Sequence, residues 1–111
     1  MPHYSTRTGQ MEWACEVRGP KGSITRNFLV DTGASTNIIP ISVARQLGLP
    51  KIRSQQVATA NGTVPVAVVL GEISVEGCGW FTADFFAADT AVYAVGYELI
   101  GKCGLSIPAQ G

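Results

Sequence analysis

The sequence predicts an all-β fold, a small closed β-barrel with one short helix. Three observations predict it. Apolar and polar residues alternate with period two in several short stretches. Turn signals built on Gly, Pro and Asn separate those stretches. Pro40 to Leu47 alone carries the boundary residues of a helix. The chain of 111 residues has the length of one domain, read as residues 1–111 with about 1–10 as a flexible N-terminal segment.

Met11, Trp13, Cys15 and Val17 alternate with Glu12, Ala14, Glu16 and Arg18, which predicts a half-buried strand. Gly19-Pro20-Lys21-Gly22 turns the chain, and Ile24 to Val30 returns as the second strand of a hairpin. The continuous apolar end Phe28-Leu29-Val30 predicts burial on both faces there. Asn37-Ile38-Ile39 is a short extended stretch. In the helix that follows, Pro40 suits the first turn and Gly48 suits the left-handed position past the end. Val57 to Leu70 reads as a hairpin about Asn61-Gly62, because both residues tolerate positive φ. Ile73 and Val75 alternate with Ser74 and Glu76, and Gly77-Cys78-Gly79 turns the chain into Trp80 to Phe86. Ala91 to Val95 and Tyr97 to Ile100 are further strand candidates.

Composition excludes several functions. Hydrophobic residues make up 46% and charged residues 14%, with Lys plus Arg equal to Asp plus Glu at 8 each. A disordered charged tail needs the opposite balance. A nucleic-acid partner normally demands a clustered basic footprint, and the sequence has none. No apolar run reaches the roughly 18 residues of a membrane span, so no membrane partner is expected. The low charge gives little self-repulsion, which suits association with a second copy. Cys15, Cys78 and Cys103 are odd in number and widely spaced, and His3 is the lone histidine. They suggest no disulfide framework, no metal site and no cofactor, and the cysteines read as small buried hydrophobes. The stretch Met1 to Thr8 has no apolar leader core, so the expected setting is the cytoplasm or a larger polyprotein.

The chemical signal lies at Phe28-Leu29-Val30-Asp31-Thr32-Gly33-Ala34-Ser35. An apolar strand delivers a carboxylate at its end, where burial raises the cost of the charged form. Gly33 leaves room for a close approach by other backbone, and the Thr32 hydroxyl can anchor the loop. Taken alone, Asp, Thr and Gly are also ordinary turn residues.

The segment Phe28 to Ala34 resembles the active-site signature of retropepsin-like aspartic proteases, the single-lobe family of retroviral and retrotransposon enzymes and their bacterial relatives. Further likenesses follow in the family's order. Ile38-Ile39-Pro40 and Gln46-Leu47-Gly48-Leu49 are similar to the segment after the signature. Thr59-Ala60-Asn61-Gly62 is similar to the flap tip, and Leu99-Ile100-Gly101 to the motif that passes beneath the catalytic loop.

The resemblance implies a barrel of the acid-protease type, one lobe per chain, and an aspartic endopeptidase. Asp31 would be the catalytic residue, with Thr32, Gly33 and Ala34 supporting the loop. Ala60, Asn61 and Gly62 would form the flap over a peptide or polyprotein substrate. Leu99, Ile100 and Gly101 would pack under the loop, and Ile52, Val64 and Val66 are candidate pocket walls. The chemistry needs two carboxyls about 3 Å apart that share a proton. This chain has one Asp-Thr-Gly, and Asp89-Thr90-Ala91 lacks the glycine, so a second Asp31 must come from an identical partner across a two-fold axis. Two residues depart from the viral pattern: Ser35 stands where an acidic residue is usual, and Lys102 where Arg is usual. With Gly104 and Pro108 weakening the end of the chain, they leave open an alternative of another class, a catalytically weak or inactive peptide-binding module.

Overall fold

A computed structural model describes residues 3–4, 11–31 and 36–103. Its strands are β1 (His3–Tyr4), β2 (Met11–Gly19), β3 (Gly22–Asp31), β4 (Asn37–Pro40), β5 (Lys51–Thr59), β6 (Gly62–Val75), β7 (Gly79–Ala88) and β8 (Ala94–Gly96). Two helices, α1 (Ile41–Leu47) and α2 (Tyr97–Lys102), complete it. The sheet runs β1-β2-β3-β8-β4-β7-β6-β5, and β2 also pairs with β6. That extra pairing, Cys15 with Val75 through Arg18 with Glu72, closes a barrel of six strands. β1 extends it from β2, with His3 opposite Glu12. β5 extends it from β6.

The alternating residues of β2 dictate the core. Trp13, Cys15 and Val17 are buried together with Phe28, Ile39, Leu47, Ile73, Val75, Phe85 and Val95. Tyr93 closes the edge of this core, meeting Phe28 edge-on with ring centroids 5.3 Å apart. Removing a large buried side chain of this kind costs about 2–5 kcal/mol.

α1 ends as its sequence requires. Gly48 takes the left-handed conformation, φ 69°, and the Gly48 and Leu49 amides donate to the carbonyls of Arg45 and Ala44. Pro40 is the residue before the helix, still extended and paired beside Ala88 of β7. A close approach fixes α1 on the barrel: Gly19 lies against the Leu47 carbonyl and the Leu49 side chain.

Several expectations need correction. Leu29 and Val30 are only half-buried, and Asp31 is exposed in the single chain, because the end of β3 reaches the barrel edge. Tyr97 to Ile100 is helical, not a strand: β8 stops at Gly96, and turning there buries Leu99 and Ile100. Ala91 to Val95 contributes a strand only from Ala94. The hairpin strands run longer than Val57 to Leu70, from Lys51 to Val75. Of the cysteines, Cys15 is buried while Cys78 and Cys103 are half-buried.

Candidate active site

Asp31 is the last residue of β3 and is placed by parallel pairing with β8. Leu29, Val30 and Asp31 lie in register with Ala94, Val95 and Gly96, and the Leu29 amide donates to the Tyr93 carbonyl at 2.8 Å. The pairing stops at Gly96 because α2 begins at the next residue. The helix then turns Leu99 and Ile100 into the core and leaves Gly101 exposed. Of the Leu99-Ile100-Gly101 motif, two residues are therefore packing groups.

The chain leaves Asp31 through residues 32–35 and returns at Asn37. Thr32, Gly33, Ala34 and Ser35 lie outside the described residues, as does the chain beyond Cys103. Asn37 gathers three segments: its Oδ1 accepts the Gly96 amide at 2.9 Å, and its Nδ2 donates to the Asp84 carbonyl at 2.9 Å. It is buried, so both bonds are shielded from water. Sequence reading placed Asn37 in an extended stretch and gave it no role. The available signal was a polar residue directly before Ile38-Ile39-Pro40, where burial forces its amide to find partners.

Beside this junction a polar cleft of about 350 Å³ is lined by Thr36, Asn37, Arg53, Asp84, Glu98 and Lys102 among others. Arg53 Nη1 approaches Asp84 Oδ2 at 3.4 Å, linking the base of β5 to β7. Both side chains are well exposed, so the pair contributes at most about 1 kcal/mol.

The β5–β6 hairpin stands away from the core. Its outer half, from Gln56 to Thr59 and from Gly62 to Pro65, is exposed on both strands except at half-buried Val57. Ala60 and Asn61 form the turn, one residue earlier than the expected Asn61-Gly62, and Thr59 pairs with Gly62. The reason is local. Thr59 Oγ1 donates to the Gly62 carbonyl at 2.7 Å and accepts the Asn61 amide at 3.2 Å, and Gly62 alone takes positive φ, 110°. Val57 stands opposite Val64, and Val66 follows on the same face, so an apolar strip runs along one side of the arm. Ile52 falls at a bulge in the pairing of β5 and is exposed.

An aspartyl protease family model matches residues 14–99, most of the chain. The chain belongs to the aspartyl protease family. Among solved structures, the EIAV protease, determined with an inhibitor bound, is similar at a TM-score of 0.68 and 17% identity. The likeness covers 96% of this chain and 99% of that one, so it spans the retropepsin-like fold from end to end. No curated protein matches the sequence. In this family context the single-lobe barrel, the Asp31 strand end and the β5–β6 arm occur in one chain.

Proposed function

We propose that this aspartyl-protease chain is a homodimeric endopeptidase whose active site forms where the Asp31 residues of two copies meet. One observation carries the reading: the Asp-Thr-Gly carboxylate sits exposed at the edge of a single-lobe barrel. A single-lobe chain with one such residue needs a second copy to make a pair.

In the pair, two carboxyls in close contact hold one proton between them. The charged member takes a proton from a bound water, which attacks the scissile carbonyl carbon. The protonated member donates to the carbonyl oxygen and stabilises the charge that develops there. Collapse of the tetrahedral intermediate, with a proton delivered to the nitrogen, releases the amine and acid fragments. The β5–β6 arm is the flap: it covers an extended peptide and excludes water from the reaction. Thr32, Gly33 and Ala34 support the paired loops, and Leu99, Ile100 and Gly101 support them from below.

The test is a peptide library incubated at mildly acidic pH with the wild type and with Asp31→Asn. The expected result is cleavage by the wild type and a loss of at least about 10²-fold in the variant, with an unchanged melting temperature. Equal cleavage by both proteins would exclude this mechanism, and no cleavage by either would favour the peptide-binding module.

A further inference from the structure

The three cysteines, far apart in sequence, meet on one side of the barrel. Cys15 lies on β2, Cys78 lies in the turn between β6 and β7, and Cys103 follows α2 directly. Their surroundings differ. Cys15 is sealed in the core, where its Sγ donates to the Trp13 carbonyl at 3.5 Å. Cys78 and Cys103 are half-buried, and the Cys78 Sγ donates to the Cys103 carbonyl at 3.7 Å. The neighbouring Cys78 side chain also helps to hold the proton on the Cys103 thiol. Among the described residues no group of three or more His, Cys, Asp or Glu side chains could hold a metal ion.

We propose that Cys78 and Cys103 are a redox pair that a peroxide converts reversibly to an intrachain disulfide, clamping the end of α2 to the β6–β7 turn. The contact must shorten to the roughly 2.05 Å of an S–S bond. The turn can supply that movement. Gly77 and Gly79 flank Cys78 at φ 83° and 88°, and each faces open space among the described residues. The only backbone bond holding Cys78 itself is from its amide to the Val75 carbonyl at 2.8 Å, among the described residues.

The order of events follows from the two settings. Burial, then hydrogen bonding to Cys78, pushes the Cys103 thiol up to about 12, so it stays protonated and is a poor first nucleophile. Cys78, on the turn, attacks first: its S–O bond forms, the peroxide O–O bond breaks, and the departing hydroxide leaves as water with the proton of the Cys78 thiol. The Cys103 sulfur then attacks the Cys78 sulfenic acid. The S–S bond forms, the S–O bond breaks, and a second water leaves with the Cys103 proton. Two thiols and one peroxide thus give one disulfide and two waters. The clamp acts on the helix that begins directly after Gly96, the residue in register with Asp31.

The test treats the wild-type protein with stoichiometric hydrogen peroxide, alkylates the remaining thiols, and maps the peptides by mass. Two of the three free thiols should disappear, joined as one Cys78–Cys103 peptide that dithiothreitol separates. Cys15→Ala should form the same link. In the oxidised protein the amides of residues 99–103 should exchange more slowly with solvent. Cys103→Ser should accumulate Cys78 sulfenic acid, trapped by dimedone. A Cys78–Cys15 link, a link between two copies, or sulfinic acid at Cys78 of the wild type would overturn the proposal. None of these readouts depends on peptidase activity.

Discussion

Asn37 Oδ1 accepts the Gly96 amide at 2.9 Å, at the residue that lies in register with Asp31. The bond stands where β8 ends and α2 begins, so it fixes the strand that flanks the carboxylate. The same side chain reaches β7 through the Asp84 carbonyl. Asn37→Ala leaves a buried amide without its acceptor and should destabilise the fold by about 1–3 kcal/mol. Urea unfolding checks this, and a loss below about 0.5 kcal/mol would mean that water replaces the side chain. Peptidase activity should fall further than stability alone accounts for, because Asp31 loses its reference strand.

Gly19 predicts a second stability effect. A methyl group there would strike the Leu47 carbonyl and come within 2.6 Å of Leu49 Cδ2. That carbonyl also accepts the Lys21 amide at 3.0 Å, so it cannot withdraw without losing a bond. Gly19→Ala should cost about 1–3 kcal/mol by overpacking. Thermal unfolding beside the wild type measures it, and an unchanged midpoint would show that α1 shifts freely on the barrel.

The elements legible in the sequence are those whose signals are local. Alternation in β2 placed Trp13, Cys15 and Val17 in the core, and Gly48 marked the end of α1 because only a left-handed residue completes that cap. The missed features depend on partners distant in sequence. Lys51 to Gln56 shows no period-two pattern because both faces are exposed, and it is a strand only because β6 pairs with it. Tyr97 to Ile100 has aromatic and β-branched residues that favour strands, yet burial of Leu99 and Ile100 selects a helix. At the candidate site, the place of Asp31 at the end of a strand was legible because the residues before it are apolar. Asn37 was not, since its partners Gly96 and Asp84 lie about fifty residues away.

The hairpin tip should separate binding from stability. Thr59 Oγ1 closes the turn with two hydrogen bonds outside the core. Thr59→Val removes both while keeping the branched shape. The melting temperature should change little, by less than about 1 kcal/mol in stability, since the bonds are exposed. If the arm is a flap, KM should rise several-fold because the tip no longer holds one conformation. Gly62→Ala should act in the same direction, since φ 110° strains a residue with a Cβ. Steady-state kinetics on a peptide substrate checks both, and unchanged KM in both variants would remove the arm from substrate binding.

The buried Cys15 thiol makes stability fall at high pH. Burial, reinforced by the neighbouring Cys78 thiol, pushes it from 9.0 up to about 12. An unfolded chain ionises this group near 9.0, while the folded chain keeps its proton to about 12. In that window the unfolded state binds fewer protons, so rising pH favours unfolding. The contribution is complete below pH 9 and is lost progressively as pH climbs toward 12. Cys15→Ala removes the ionisable group. The variant should start less stable, from the lost buried volume, yet decline less steeply between pH 9 and pH 11 than the wild type. Denaturant unfolding at several pH values, with reductant present, measures the two slopes. Parallel slopes would show that Cys15 ionises in the folded chain as readily as in the unfolded one, and that the seal over β2 opens to solvent.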